Sequence, residues 1–140
     1  MGFGFVASAF VPTFCEEAIR SSYLYYLADK GRRRAAVLAI AAVFVIGEAI
    51  YDVSLYSAAR AEIGAGFATA LLLAALVLGA TLHLALTIGT AHRQQTGRSA
   101  WATFAGALGF HTCFNLIAIA VIHSIMNRPI MDLAMTLAGS

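Results

Sequence analysis

Ionisable residues stand inside long apolar stretches of this 140-residue sequence, each four positions from a polar neighbour. The four pairs are Glu16 with Arg20, Glu48 with Asp52, His83 with Thr87, and His111 with Asn115. A spacing of four residues places both members of a pair on one face of a helix. Because carboxylates and imidazoles exchange protons and bind metals, these pairs predict one functional site formed by several helices.

Each of these side chains raises the free energy of inserting its helix into a membrane. An ionisable residue is therefore retained in a membrane helix only where it pairs with another group or takes part in chemistry. For a single His or Asn, the simpler explanation is a hydrogen bond that locks two helices together. Three carboxylates and two imidazoles are more than packing requires, which favours a functional site.

The composition indicates a membrane protein. Hydrophobic residues make up 61% of the chain and charged residues 11%, whereas about a quarter of a soluble domain is charged. The mean hydropathy is +0.82. Residues 63–92 and 99–127 contain no Asp, Glu, Lys or Arg, and each stretch exceeds the roughly 20 residues of a membrane helix. Backbone groups find no water in a bilayer, so spanning segments must be helical.

The polar breaks predict an all-α, polytopic transmembrane bundle of about four helices in a single domain, residues 1–140. The predicted helices cover residues 3–29, 35–57, 63–91 and 99–125, and a short C-terminal tail follows. Polar breaks at residues 30–34, 58–62 and 92–99 separate them. Pro12 is expected to kink or to begin the first helix. The N-terminus has no basic region and no cleavage site, so we expect no signal peptide.

Basic residues are concentrated in the first and third predicted loops. Four of them lie within residues 30–34, and the third loop holds Arg93 and Arg98. The second loop has only Arg60, which is offset by Glu62. The positive-inside rule therefore predicts an integral membrane protein with loops one and three in the cytoplasm and both termini outside.

Counting along the helices places the costly residues at one depth. At a rise of about 1.5 Å per residue, Glu16, Glu48 and His111 lie roughly 20 Å from the basic ends of their helices. By the same count, His83 lies roughly 14 Å from its basic end. We therefore expect the four polar faces to meet near the middle of the bilayer.

Several other residues have simpler interpretations. Cys15 and Cys113 lie in apolar helices, so we expect two free and unreactive thiols. His92 lies near a helix end and is expected at the membrane interface. Gly106 and Gly109 are expected to allow close approach of a neighbouring helix.

Four short motifs follow one another along the chain, each on its own predicted helix. They are EEAIR at residues 16–20, FVIGEAIY at 44–51, HLALT at 83–87 and HTCFN at 111–115. In this order they resemble the EExxR/K, FxxxE, third-helix and HxxxN/D motifs of the PrsW and YhfC intramembrane proteases. Those families are related to the type II CAAX prenyl proteases and to the γ-secretase scaffold subunit. The resemblance covers about residues 13–120.

The resemblance implies a glutamic-type intramembrane endopeptidase of a bacterial or archaeal cell membrane. Its substrate would be a membrane protein or a membrane-embedded peptide. Glu16 or Glu17 would be the base that activates water, and Arg20 would orient these glutamates. Glu48 would share the proton or orient the water.

The same resemblance gives the remaining site residues a role in stabilising the transition state. His83 and His111 would donate hydrogen bonds to the developing oxyanion, and Asn115 would steer His111. No cofactor is expected. A zinc-dependent version stays open, because two imidazoles and two carboxylates are acceptable zinc ligands with water in an open position. That version would use Glu17, Glu48, His83 and His111.

Three alternatives use the same cluster without proteolysis. One is a non-catalytic membrane scaffold, and another is a small protein that translocates protons or ions. A haem-binding bundle with His83 and His111 as axial ligands would leave the glutamates unexplained. The expected partners are the lipid bilayer and a substrate, with no nucleic acid. A chain this short has little surface to enclose a site, which leaves room for an oligomer.

Overall fold

A computed structural model describes the backbone of residues 3–28 and 33–126 and the side chains of residues 10–26 and 34–124. Within these ranges the chain forms four α-helices and no strand. The helices are α1 (Phe3–Ala28), α2 (Arg33–Ile63), α3 (Ala65–Gln95) and α4 (Ala100–Met126). The predicted all-α bundle of four helices is confirmed. The predicted C-terminal tail and most of the first basic loop lie outside the described residues.

Helices α2, α3 and α4 are long and apolar enough to cross a membrane. The qualifying segments are Arg34–Ile63, Ala65–Gln95 and Ala100–Ser124, and the most apolar 18 residues of each have mean hydropathies of 2.1, 2.3 and 1.8. Large apolar side chains such as Leu38 and Val77 are about two-thirds exposed on the bundle surface, at 65% and 64%. Such a surface is suited to lipid rather than water. The chain is therefore an integral membrane protein of the helical type.

Helix α1 differs from the other three because charged residues interrupt its middle. It contains Glu16, Glu17 and Arg20, and it is not among the segments that qualify as spans within the described residues. Its crossing of the bilayer stays a prediction. Pro12 lies well inside α1, so it does not begin the helix.

The largest departure from the predicted boundaries is at the end of α2. The polar break at 58–62 predicted a loop, but α2 continues through it to Ile63. Arg60 and Glu62 are exposed on the last turns of the helix, so they reach water without a loop. Only Gly64, with a φ of +80°, separates α2 from α3. This left-handed backbone is accessible to glycine at little cost.

The helices pack most extensively as two pairs, α2 with α3 and α1 with α4. A small apolar core joins α3 to α4 and contains Leu82, Leu86, Ala107 and the half-buried Phe114. His83 directly follows Leu82 in α3 and is also buried. The inner face of α3 therefore carries apolar packing and a polar site residue side by side.

Candidate functional site

A group of ionisable side chains lies inside the bundle, and every helix contributes to it. It comprises six of the seven predicted site residues: Glu16, Glu17 and Arg20 from α1, Glu48 from α2, His83 from α3 and His111 from α4. We call these six residues the central cluster. These residues were predicted to lie at similar depths in the membrane, and in the structure their side chains contact one another across the helices.

Glu17 and Arg20 form the most deeply buried part of the central cluster. Neither side chain has any exposed surface, and Arg20 Nη1 donates to Glu17 Oε1 one helical turn away. The second oxygen of Glu17 is buried without a hydrogen-bond partner. The sequence pattern paired Arg20 with Glu16 instead. That pairing is wrong because the spacing of three, not four, brings the carboxylate to the guanidinium.

His83 lies between Arg20 and Glu48, and these contacts define its protonation. Arg20 Nη2 lies 2.7 Å from His83 Nδ1. A guanidinium can only donate hydrogen bonds, so Nδ1 must accept and the ring proton is on Nε2. Nε2 faces Glu48 Oε2 at 3.3 Å. His83 is therefore a neutral imidazole whose remaining N–H points toward the more exposed side of the cluster.

His111 lies between the two adjacent glutamates of α1. Its Nδ1 is 2.8 Å from Glu17 Oε1, and because the carboxylate accepts, Nδ1 carries a proton. On the other side, Nε2 is 3.8 Å from Glu16 Oε2, which is too long for a direct hydrogen bond. Glu16 Oε2 is buried and has no hydrogen-bond partner. His111 and Glu16 thus face each other across a short polar gap.

The central cluster has two parts that differ in exposure. We call Glu17, Arg20, His83 and His111 the buried side, and Glu16 and Glu48 the rim. The side chains of His83 and His111 are 1% and 2% exposed, whereas those of Glu16 and Glu48 are 32% and 37% exposed. One ligand atom from each of Glu16, His83 and His111 lies within 4.8 Å of the other two. Since hydrogen bonds to oxygen span about 2.8 Å, one water oxygen can contact all three atoms.

The metal-binding prediction fits this arrangement only in part. The atoms close enough to share an ion belong to Glu16, His83 and His111, whereas the predicted ligand Glu17 is engaged by Arg20 and His111. His111 donates its other ring N–H to a carboxylate, as metal-bound histidines usually do. His83 does not, because its Nδ1 accepts from Arg20. Metal binding through His83 Nε2 would require Arg20 to move away from Nδ1, and zinc binding by this group stays a prediction.

The contact between the two histidines also bears on the haem alternative. The ring centroids of His83 and His111 are 5.3 Å apart, and the rings meet edge to face at 87°. Axial ligands stand on opposite faces of a haem. These contacts give the haem alternative no support, and it stays a prediction.

Asn115 lies outside the central cluster and has a different partner from the predicted one. Its Nδ2 donates to Thr13 Oγ1 at 2.9 Å, which ties α4 to α1. Asn115 was expected to orient His111, but the His111 Nδ1–H donates to Glu17 instead. The contacts therefore give Asn115 a role in joining two helices.

Among the described contacts, the other two polar companions, Thr87 and Asp52, form no hydrogen bond with a side chain of the central cluster. Thr87 donates to the backbone carbonyl of His83 at 2.7 Å rather than to its ring. Asp52 has one buried oxygen without a hydrogen-bond partner. Cys15 and Cys113 are free thiols on the exposed surface, as expected.

Three residues beyond the predicted site support the central cluster or its neighbour Asn115, and only Phe44 among them belongs to a predicted motif. The Phe44 ring stacks on His83 at 5.6 Å and lies 4.4 Å from the Arg20 guanidinium carbon. Gly79 makes room for Glu48, because a Cβ there would be 3.1 Å from Glu48 Cγ. Thr13 is fully buried beneath Asn115.

The three supporting residues share a spacing that identifies them as neighbours of the site. Phe44, Gly79 and Thr13 each precede a residue of the central cluster by four positions on the same helix. This spacing places them on the face that carries the site. The pairs of polar residues do not include them, because each of the three precedes its cluster residue and two of them, Phe44 and Gly79, are apolar.

Comparison with protein-family models, curated proteins and solved structures finds no match for this chain. The resemblance to the PrsW and YhfC proteases therefore stays a prediction that depends on the four motifs. The contacts of the central cluster are the remaining basis for a functional argument.

Proposed function

We propose that the chain is an intramembrane peptidase in which Glu16 is the general base. The observation that carries this proposal is the gap of 3.8 Å between Glu16 Oε2 and His111 Nε2. A carboxylate oxygen without a partner and a ring nitrogen converge there on a position that one water can occupy. Although Oε2 is buried, the rest of the Glu16 side chain is partly exposed, so the gap lies close to the surface of the bundle.

Glu16 is a better candidate for the base than Glu17. Glu17 is inaccessible, and its charge is already compensated by Arg20 and by the His111 N–H. A carboxylate stabilised in this way is a weaker base. Its contacts suit a positioning role, because Glu17 fixes the His111 tautomer and Arg20 fixes the His83 tautomer.

The proposed reaction is the hydrolysis of a peptide bond. Glu16 removes one proton from water as the water oxygen bonds to the carbonyl carbon. The His83 Nε2–H, now directed at Glu48, is the N–H placed to donate to the developing oxyanion. As the C–N bond breaks, the proton held by Glu16 passes to the departing amine. The carboxylate is then ready for another water.

Proton or ion translocation has less support from the same contacts. The hydrogen bonds that link His83 to His111 pass through Arg20 and Glu17. A guanidinium does not release its proton in proteins, so it interrupts a proton relay. A fixed cation at this point also opposes the passage of cations.

The test compares new peptide termini in membranes of cells that express the wild type, Glu16→Gln or Glu62→Gln. Glu62 undergoes the same change on the exposed last turn of α2, so it controls for expression and insertion. Termini that depend on the wild type should persist with Glu62→Gln. With Glu16→Gln they should fall about a hundredfold or more, as expected for loss of a general base.

Two outcomes would contradict the assignment. Cleavage that survives Glu16→Gln would remove Glu16 as the base. The absence of any terminus that depends on the inserted wild-type protein would favour the scaffold alternative.

A further inference from the structure

A second polar site lies where α3 ends and α4 begins, away from the central cluster. It is a half-open pocket of roughly 700 Å³, a size typical of small-ligand sites. Its lining residues are His92, Arg93, Thr96, Arg98, Ala102 and Thr103. Two of these residues are arginines and none is acidic, so the pocket is suited to an anion.

Thr103 is the feature that points most directly to a ligand. This residue is part of the pocket lining and is 2% exposed, and its Oγ1 is buried without a hydrogen-bond partner. Buried hydroxyl groups are almost always paired, because an unpaired one loses its hydration without compensation. An oxygen of a bound anion would accept from this hydroxyl.

The first turn of α4 adds further donors beside Thr103. The N–H groups of an initial helical turn have no partner within the helix, and the helix dipole favours negative charge there. Ala102 N–H donates to the Ser99 hydroxyl at 3.5 Å, which is a long hydrogen bond. The start of this 27-residue helix therefore supports the same kind of ligand as the arginines.

Arg93 lies against α4. Its Nη1 would be 3.0 Å from a Cβ at Gly106, so the guanidinium occupies space that glycine leaves free. Gly106 was expected to allow close helix approach, and the structure shows that it accommodates this side chain instead. A Cβ at Gly109 would meet nothing within 4 Å.

We propose that this pocket binds the headgroup phosphate of an anionic phospholipid. The pocket lies at the ends of two apolar helices, and Trp101 beside it is 79% exposed, as is typical of the membrane interface. Basic pockets between membrane helices at this level bind lipid headgroups. The proposal is independent of the peptidase activity, since it shares no residue with the central cluster.

The first test measures lipid binding by native mass spectrometry of the purified protein in detergent. The protein is titrated with phosphatidylglycerol and, separately, with phosphatidylcholine. The wild type should bind one phosphatidylglycerol more tightly than phosphatidylcholine. Arg93→Gln should weaken phosphatidylglycerol binding about fivefold, the effect of one basic residue near a lipid surface.

Arg34→Gln is the matched control for Arg93→Gln. Arg34 is exposed near the start of α2, so it lies on the same membrane face but does not line the pocket. It should leave the preference for phosphatidylglycerol unchanged. An equal loss in both variants would overturn the proposal in favour of a general surface-charge effect.

A second pair of variants tests the hydroxyl. Thr103→Val removes the buried donor at constant shape, and Thr112→Val makes the same change at another unpartnered buried hydroxyl of α4. Only Thr103→Val should weaken phosphatidylglycerol binding, and an equal effect of both would overturn the proposal. A further arm titrates the lipid-free protein with inorganic phosphate. Equally tight phosphate binding would show that a free anion, not a lipid, is the ligand.

Discussion

Two glutamates that are neighbours in the sequence occupy opposite sides of the central cluster. Glu17 is fully buried, pairs with Arg20 and accepts from His111, whereas Glu16 is about one-third exposed and makes no direct hydrogen bond. Adjacent side chains on a helix point about 100° apart, so one turn of α1 presents its carboxylates to different surroundings. In the proposed function, Glu17 therefore maintains the fold and positions its neighbours, and Glu16 is the base.

The buried side depends on mutual compensation of charge. A lone ion inside a bundle loses its hydration, and an ion pair is retained only with good geometry and additional hydrogen bonds. Arg20 meets this condition through Glu17, His83 and the face of Phe44. On the rim, Glu16 Oε2 has no hydrogen-bond partner, and Glu48 Oε2 contacts His83 Nε2 at 3.3 Å.

The largest expected effect tests this difference through stability. Glu17→Gln leaves the Arg20 charge buried without its partner and should reduce the free energy of unfolding by about 3–5 kcal/mol. Glu16→Gln should reduce it by about 1 kcal/mol or less, as for a partly exposed ion pair. Unfolding by SDS titration, followed by circular dichroism, measures both values. Similar losses in the two variants would contradict the division between the buried side and the rim.

A double variant identifies the origin of the loss in Glu17→Gln. Adding Arg20→Met removes the uncompensated charge and should restore part of the lost stability, since apolar replacement of a buried pair is often tolerated. If the two losses simply add, the ion pair is not the cause.

The sequence was sufficient for the bundle but not for its details. Apolar runs longer than a bilayer crossing require helices, so α3 and α4 followed from composition alone. The end of α2 did not, because charged residues at 60 and 62 lie on exposed turns of a helix and mimic a loop. Charged residues indicate where the chain leaves the apolar part of the membrane, but they do not indicate where the helix ends.

The membership of the central cluster was also more predictable than its pairings. Depth and helical spacing placed carboxylates and imidazoles on inward faces, because both depend only on position along a helix. The choice of Glu17 over Glu16 by Arg20, and of Thr13 by Asn115, depends on how the helices are rotated against each other. That rotation is set by tertiary packing, which no local pattern specifies.

A smaller loss of stability is expected on breaking the hydrogen bond between Asn115 and Thr13, which lies outside the central cluster. Thr13→Val removes the acceptor of Asn115 and should reduce the free energy of unfolding by about 1–2 kcal/mol. Cleavage should be nearly unchanged, because Thr13 lies away from the gap between Glu16 and His111. Thr112→Val is the control, since its hydroxyl has no hydrogen-bond partner to lose. A loss of cleavage larger than the loss of folded protein would place Asn115 in the reaction after all.

The smallest expected change in stability acts on the rim and separates positioning from folding. In Gly79→Ala the new Cβ would meet Glu48 Cγ at 3.1 Å, so Glu48 must shift by a few tenths of an ångström relative to His83. Alanine favours a helix over glycine by up to about 1 kcal/mol, which offsets the crowding. Stability should therefore hardly change, while cleavage falls severalfold. In Gly89→Ala on the same helix, the added methyl group meets nothing within 4 Å, and cleavage should stay at the wild-type rate. If the two variants cleave at the same rate, Glu48 does not position the His83 donor, and Glu16 is the one rim residue that takes part in the reaction.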